Sequence, residues 1–317
     1  MKILANDGID AGGKAALEAQ GHEVETNFIP QADLVNYITT HEIEGLLVRS
    51  ATKVRRDIID GCPNLKFVGR GGVGIDNIDA AYAKEKGLLV FNTPASSSQS
   101  VAELAMSMMF AASRFVYASG STMPNVGQEQ FADLKKSYSK GIELRGKTLA
   151  IVGFGRIGQS LASYAIGCGM NVIASDRTDH SFTEINVSIA NQIVKVQVPH
   201  VSLTEALNKA DFISLHVPKQ PNGDAVIGER ELSLMKSSAV IINTSRGGVI
   251  NEDALLQALN NKSLRCACLD VFENEPTPRK DLLEHPMVIA TPHIGASTAE
   301  AQERIGLEIA SIVAGLA

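Results

Sequence analysis

The 317-residue sequence contains no apolar run approaching the roughly 20 residues that a membrane-spanning helix needs. Its start, Met1-Lys2-Ile3-Leu4-Ala5-Asn6-Asp7, turns polar too soon for a secretory signal. Cysteine is scarce: Cys62, Cys168, Cys266 and Cys268 are the only four. They fall in or beside expected helices and strands, with Cys266 and Cys268 read as facing opposite sides of one strand. Free thiols in a reducing cytoplasm are therefore expected, and no metal site. Positive charge is not in excess either. The net charge of −6 and pI of about 5.7 disfavour nucleic acid and anionic membrane as partners. Low-complexity segments are absent. A 44% hydrophobic and 20% charged composition over this length suits a soluble globular chain of two domains.

What is present is sharper. Gly153-Phe154-Gly155-Arg156-Ile157-Gly158 follows an apolar run, Thr148 to Val152, that reads as a buried strand. A helix is expected from Gln159 to Gly167, then a second strand, Asn171 to Ser175, ending at Asp176. A glycine-rich turn between strand and helix, with an acidic residue about 20 positions on, reads as a dinucleotide site. Gly153 permits the tight turn, Gly155 lets backbone approach a pyrophosphate, and Gly158 lets helix pack close to strand. The helix start, with Arg156 and Ile157, presents N–H groups and a positive dipole end to the phosphates. Asp176 can accept from both ribose hydroxyls and repel a 2′-phosphate, which selects NAD. Arg177 could stack on adenine or reach a 2′-phosphate.

Short apolar strands alternate with amphipathic helices in both halves. Strands are expected at 2–5, 22–25, 45–48, 65–68 and 88–91, then at 148–152, 171–175, 212–217, 239–243, 265–269 and 287–290. Helices such as 32–39 and 80–86 fall between them. The fold class is α/β: two doubly wound parallel-sheet domains, covered on both faces. Ser100-Val101-Ala102-Glu103 reads as a capping box opening a helix over 101–112. That helix is apolar on nearly every face and is expected to be buried all round, between domains or against a second subunit. Residues 113–145 read as irregular, with Gly120, Pro124 and Gly127 and exposed aromatics Phe115, Tyr117 and Phe131. They suit an arm around a partner subunit or a plain surface loop. The stretch 178–199 is polar and β-branched and suggests no function. The tail ends in a helix over 299–315, which could return to the first domain as a second crossover.

Three residues sit just past expected strand ends, where doubly wound sheets bind ligands. Arg246 could hold a carboxylate bidentately and polarise the adjacent carbonyl. Glu275, with Glu273 competing for the role, could partner His293, and a histidine held by a carboxylate suits general acid–base work. His216 precedes Val217-Pro218 and is expected to line the cofactor groove. His285 reads as structural, and His22, His41, His180 and His200 as surface residues. In the first half, Arg49 and Arg70 both follow apolar strands, and Gly71, Gly72 and Gly74 read as a run of accessible N–H groups. Two guanidiniums and a backbone nest suit a phosphate dianion.

Taken together, Gly153 to Gly158, Leu215 to Pro218, Asn243 to Gly248, Asp270 to Pro276 and Thr291 to Thr298 carry a resemblance along essentially the whole chain. The sequence resembles the D-isomer-specific 2-hydroxyacid dehydrogenase family. The resemblance implies a Rossmann-type NAD domain, 99–290, inserted in a flavodoxin-like substrate domain, 1–98 with 291–317, and an interdomain cleft. It assigns His293 as acid–base, Glu275 as its partner and Arg246 as carboxylate and carbonyl binder. Thr244, Asp270 and Gly295 join the cofactor contacts, with Asp270 on the nicotinamide carboxamide. Val48 to Val54 and Gly69 to Asn77 look most like members that oxidise D-3-phosphoglycerate to 3-phosphohydroxypyruvate, the first step of serine synthesis. Arg49, Ser50, Arg70, Gly72, Val73 and Gly74 would then bind the phosphorylated substrate. With 24 residues after His293, a C-terminal regulatory domain that binds amino acid is not expected. Ser96 to Ser100 departs from the Asn/Gly-rich hinge of longer members. The expected protein is a cytoplasmic homodimer using NAD. The alternative is a hydroxypyruvate, glyoxylate or other 2-hydroxyacid dehydrogenase; a remote one is an NAD-sensing transcriptional corepressor.

Overall fold

The computed structural model describes residues 1–177 and 181–316. His180, expected at the surface, lies outside the described residues. The chain forms two compact units, Met1–Ser100 with Ala296–Ala317, and Val101–Gly295.

In the first unit, β1 (Lys2–Ala5), α1 (Ala11–Ala19), β2 (Glu23–Glu25), α2 (Leu34–Thr40), β3 (Gly45–Val48), α3 (Arg56–Gly61), β4 (Phe67–Arg70), α4 (Ala80–Glu85) and β5 (Leu89–Asn92) alternate. The five strands are all parallel, in the order β2-β1-β3-β4-β5. Fully buried Ile3, Leu4, Leu46 and Val68 show why these runs are strands: both faces of the sheet are covered. The order reverses between β1 and β3, so the residues after them, Asp7 and Arg49, flank a topological switch point.

The second unit starts within α5 (Ser98–Arg114), followed by α6 (Val116–Val126) and α7 (Phe131–Ser137). Then come β6 (Thr148–Val152), α8 (Arg156–Gly167), β7 (Asn171–Ser175), β8 (Phe182–Ile189), β9 (Gln192–Pro199), α9 (Leu203–Lys209) and β10 (Phe212–Leu215). The unit continues with α10 (Glu229–Ser233), β11 (Val240–Asn243), α11 (Glu252–Asn260), β12 (Cys266–Leu269), α12 (Lys280–Leu283) and β13 (Val288–Ala290). Its six-stranded sheet is parallel, ordered β13-β12-β11-β10-β6-β7, with the switch point between β6 and β10. The last helix, α13 (Ala299–Ala314), belongs to the first unit and packs on α1. There the helices meet at glycines: a Cβ on Gly13 would lie 2.4 Å from Gly306 Cα.

Several expectations need correction. Helix α5 begins two residues before Ser100, so there is no capping box; Ser100 Oγ meets Thr298 Oγ1 at 2.8 Å and Glu103 accepts from the Tyr164 hydroxyl at 2.9 Å. Within the single chain α5 is buried on all but one side. Glu103, Ser107, Phe110 and Arg114, three or four residues apart, form an exposed stripe. Residues 116–126 and 131–137 are helical despite Gly120 and Pro124; the break is Phe115, left-handed at φ 55°. Tyr117 and Phe131 are exposed, while Phe115 is half-buried against Tyr138. Cys266 and Cys268 face the same core and Ala267 the other, as the strand period of two requires. Most of 178–199 is an antiparallel hairpin, β8 with β9. His200 is half-buried rather than at the surface, edge-on to the Phe154 ring and bonded to Thr183. Thr291 to Gly295, read with the tail, pack with the second unit because Asp270 holds them. No single helix among the described residues is long and apolar enough to cross a membrane.

Candidate active site

The glycine-rich turn leaves β6 at the switch point. Gly153 has φ 90°, and a Cβ there would lie 2.4 Å from the His216 carbonyl oxygen, so the two strand ends approach as only glycine allows. Gly155 caps α8 with open space where a side chain would project. Arg156 and Ile157 follow in the first turn, and Gly158 packs on the Gly153 carbonyl. Asp176, exposed at the tip of β7, accepts the Phe154 N–H through Oδ2 at 2.9 Å and the Arg177 N–H through Oδ1 at 2.7 Å.

A pocket of about 510 Å³ opens here. Gly153, Gly155, Asp176, Arg177, His216 and Gln220 line it together with apolar Leu203, Val217, Pro218 and Val226. Among the described residues, His216 Nδ1 and Thr244 Oγ1 are buried without a hydrogen-bond partner. An apolar slot, a helix N-terminus, a carboxylate at the strand tip and unsatisfied polar atoms fit an adenine dinucleotide.

Past β11 and β12 lie two loops. Buried Asn243 shapes the first: its Nδ2 donates to the Arg246 carbonyl at 2.9 Å, and its Oδ1 accepts from Ser245 N and Oγ. Arg246, half-buried, also donates to the Ser245 carbonyl at 2.6 Å. In the second loop, Glu275 Oε1 accepts the Phe272 N–H at 2.9 Å, and Oε2 meets His293 Nδ1 at 2.7 Å. Glu275, not Glu273, is therefore the carboxylate on His293. Burial pushes the Glu275 carboxyl up, but the His293 and Phe272 bonds and the charges of His293 and Arg246 outweigh it and hold it below its usual range. An ionised Glu275 can only accept, so the imidazole keeps its proton on Nδ1 and leaves Nε2 for exchange.

His293 itself has a left-handed backbone, φ 55°. Asp270, fully buried, holds that turn: Oδ1 accepts from Thr291 Oγ1 and Ile294 N, and Oδ2 from Gly295 N at 2.8 Å. Its partners in this structure are thus the loop carrying His293.

In the first unit, the Arg49 loop is gripped from both sides. Asp7 accepts from Arg49 N at 2.6 Å and from Thr52 N and Oγ1, while Asn77 Nδ2 donates to the Arg49 and Thr52 carbonyls. Ser50 stands exposed at the apex. Arg70 lies over Gly72, where a Cβ would meet Nη1 at 2.0 Å. The expected run of free N–H groups is shorter than the sequence suggested: Gly71 N donates to the Val48 carbonyl and Gly72 N to Thr93 Oγ1, leaving Val73 and Gly74 half-buried beyond them.

Residues 106–295 match the family described as D-isomer specific 2-hydroxyacid dehydrogenase, NAD binding domain. The chain is 40% identical over 312 residues to the hydroxypyruvate reductase of Thermotoga maritima, covering 97% of this chain and 95% of that one. The chain belongs to the D-isomer-specific 2-hydroxyacid dehydrogenase family. The chain is also 40% identical over 310 residues to the D-3-phosphoglycerate dehydrogenase of Methanocaldococcus jannaschii, covering 98% of this chain and 56% of that one. It spans about half the length of most such curated relatives. A D-lactate dehydrogenase from Aquifex aeolicus, solved with NAD and lactic acid, superposes with a TM-score of 0.78 at 27% identity, covering 100% of this chain and 95% of that one. NAD is the cofactor of the matched domain, and the glycine-rich turn at Gly153 lines the pocket described above.

Sequence reasoning passed over the supports of the site. Asn243 stood out only as part of the Asn243–Gly248 motif and Glu252 not at all; their burial beside the Arg246 loop reveals their role. Asp7 and Asn77 were equally silent; each acts through backbone groups more than 20 residues away in the chain.

Proposed function

We propose that the dehydrogenase oxidises D-3-phosphoglycerate to 3-phosphohydroxypyruvate, the entry to serine synthesis, as a cytoplasmic homodimer. The observation that carries the chemistry is the 2.7 Å contact between Glu275 and His293. NAD, when bound, supplies the hydride acceptor. His293 Nε2 takes the proton of the C2 hydroxyl, and Glu275 stabilises the imidazolium that forms. Arg246 anchors the carboxylate and offsets negative charge on the C2 oxygen. Asp176 holds the adenosine ribose and the first turn of α8 the pyrophosphate, and Thr244 and His216 are assigned to the same cofactor. Asp270 keeps the His293 turn in place and is the group assigned to the nicotinamide carboxamide; Gly295 packs against it.

For the phosphate, the proposal rests on Arg49 and Arg70, at the carboxyl ends of β3 and β4, with Ser50, Gly72, Val73 and Gly74 beside them. The phosphoglycerate dehydrogenase relatives support this. A homodimer is supported by apolar side chains left exposed on α5, α6 and α7: Phe110, Val116, Tyr117, Met123 and Phe131.

A second reading, a reductase of hydroxypyruvate or a related 2-keto acid, is favoured by the Thermotoga relative, which matches over nearly its full length. Initial rates of NADH oxidation with 3-phosphohydroxypyruvate and with hydroxypyruvate separate them. The proposal expects kcat/KM about 100-fold or more higher for the phosphorylated acid, some 2.7 kcal/mol, and loss of that preference in Arg49→Ala and Arg70→Ala. Equal rates in the wild type would leave the family and transfer the activity to the second reading.

A further inference from the structure

Besides the groups assigned to proton transfer, two carboxylates tie the Arg246 loop to the Glu275 loop. Glu252 is the first residue of α11 and is buried, 5% exposed. Its Oε1 accepts the Glu273 N–H at 2.8 Å. Glu273 answers from the other loop, its Oε1 accepting the Glu252 N–H at 3.1 Å. Each side chain thus holds the other's backbone.

The two loops also touch directly. A Cβ on Gly247, next to Arg246, would fall 1.7 Å from the Phe272 carbonyl oxygen. The bonds run through consecutive peptides: the Phe272 N–H is held by Glu275, and the Glu273 N–H by Glu252. Helix capping alone does not account for this, because Asn251 already caps α11 through the Ala254 N–H at 2.8 Å. Burying Glu252 is costly. Burial pushes its carboxyl up, against the pull of the Glu273 N–H, and Arg279 nearby is already shared between Asp253 and Asp281.

We propose that Glu252 and Glu273 form a clasp that sets Glu275 against His293 and in register with Arg246, which makes both of them positioning residues for the proton transfer. The proposal rests on the reading of His293 as the acid–base group. The clasp works through geometry: releasing it frees the Phe272–Glu275 segment, and a displacement of about 1 Å in a catalytic contact can cost on the order of 100-fold in rate.

The test compares wild type with E252A, E252Q, E273A and H293A. Two measurements are made: the His293 ring titration by NMR, and the pH dependence of NADH-linked reduction of 3-phosphohydroxypyruvate or hydroxypyruvate. With the clasp released, the imidazolium loses its carboxylate. In E252A and E273A the ring midpoint should fall by about half a unit or more, and the alkaline limb of reduction should move the same way. kcat should drop about tenfold, with KM for NADH within about twofold of wild type. In E252Q the amide carbonyl still accepts the Glu273 N–H, so midpoint and limb should stay at the wild-type position. A lowered melting temperature with an unmoved midpoint in E252A would mean that the clasp only holds the fold, and would overturn the proposal. If E252A does not fold, E273A, whose side chain lies at the surface, decides by the same criterion. Near-normal turnover in H293A would overturn the acid–base reading, and the clasp with it. A shifted midpoint in an enzyme that reduces neither acid would keep the clasp and reject the substrate.

Discussion

His216 shows how much one residue in this site depends on its surroundings. Its Nε2 meets Ser214 Oγ at 2.9 Å, its Nδ1 is shielded, and burial lowers it from 6.5 to about 4. Above pH 6.5 the ring is neutral folded or unfolded. As pH falls from there towards 4, the unfolded chain takes up a proton that the folded one refuses, so stability is lost across that window. The full shift corresponds to about 3 kcal/mol. Urea midpoints measured between pH 7 and pH 4.5 should therefore fall more steeply for wild type than for His216→Asn. Parallel losses would mean that the ring is protonated in the folded state. Glu275 adds a loss of the same sign, since its lowered carboxyl is protonated as acid is added, but it is common to both proteins.

Among the elements, α1 and α13 fit backbone against backbone at Gly13 and Gly306. Gly13→Val should lower unfolding free energy by about 1–3 kcal/mol; an unchanged denaturation midpoint would exclude the contact. The sheet strands were legible because their runs of Ile, Leu and Val are buried on both faces, and the turn at Gly153 because its spacing reports backbone geometry. Boundaries slipped by a residue or two at Leu65 and Leu88, where the apolar run begins before the ladder does. The hairpin over 182–199 was missed for a different reason. Its buried Ile185, Val187 and Val198 alternate, but exposed Ile189, Ile193 and Val194 at the tip blur the period. Likewise, Glu275 and His293 could be picked from their places after strands. The Glu252–Glu273 bonds could not, because each joins a side chain to a backbone group of another loop and leaves no compositional trace.

For the whole molecule, the proposed dimer predicts a sedimenting species of twice the 33.7 kDa chain mass, with Phe110→Glu/Tyr117→Lys shifting it to the single chain; a wild-type monomer at micromolar concentration would reject it. The unit spanning Val101–Gly295 is one continuous stretch, complete before α13 leaves the ribosome. The unit that begins the chain is not: Ile305, Ile309, Ala310 and Val313 of α13 pack into the same cluster as Ile3, Leu17 and Phe67. Those early residues must wait, uncovered, for the last ones. During translation the later-encoded unit can fold first, and the first-made strands are the part of the nascent chain most exposed to chaperones.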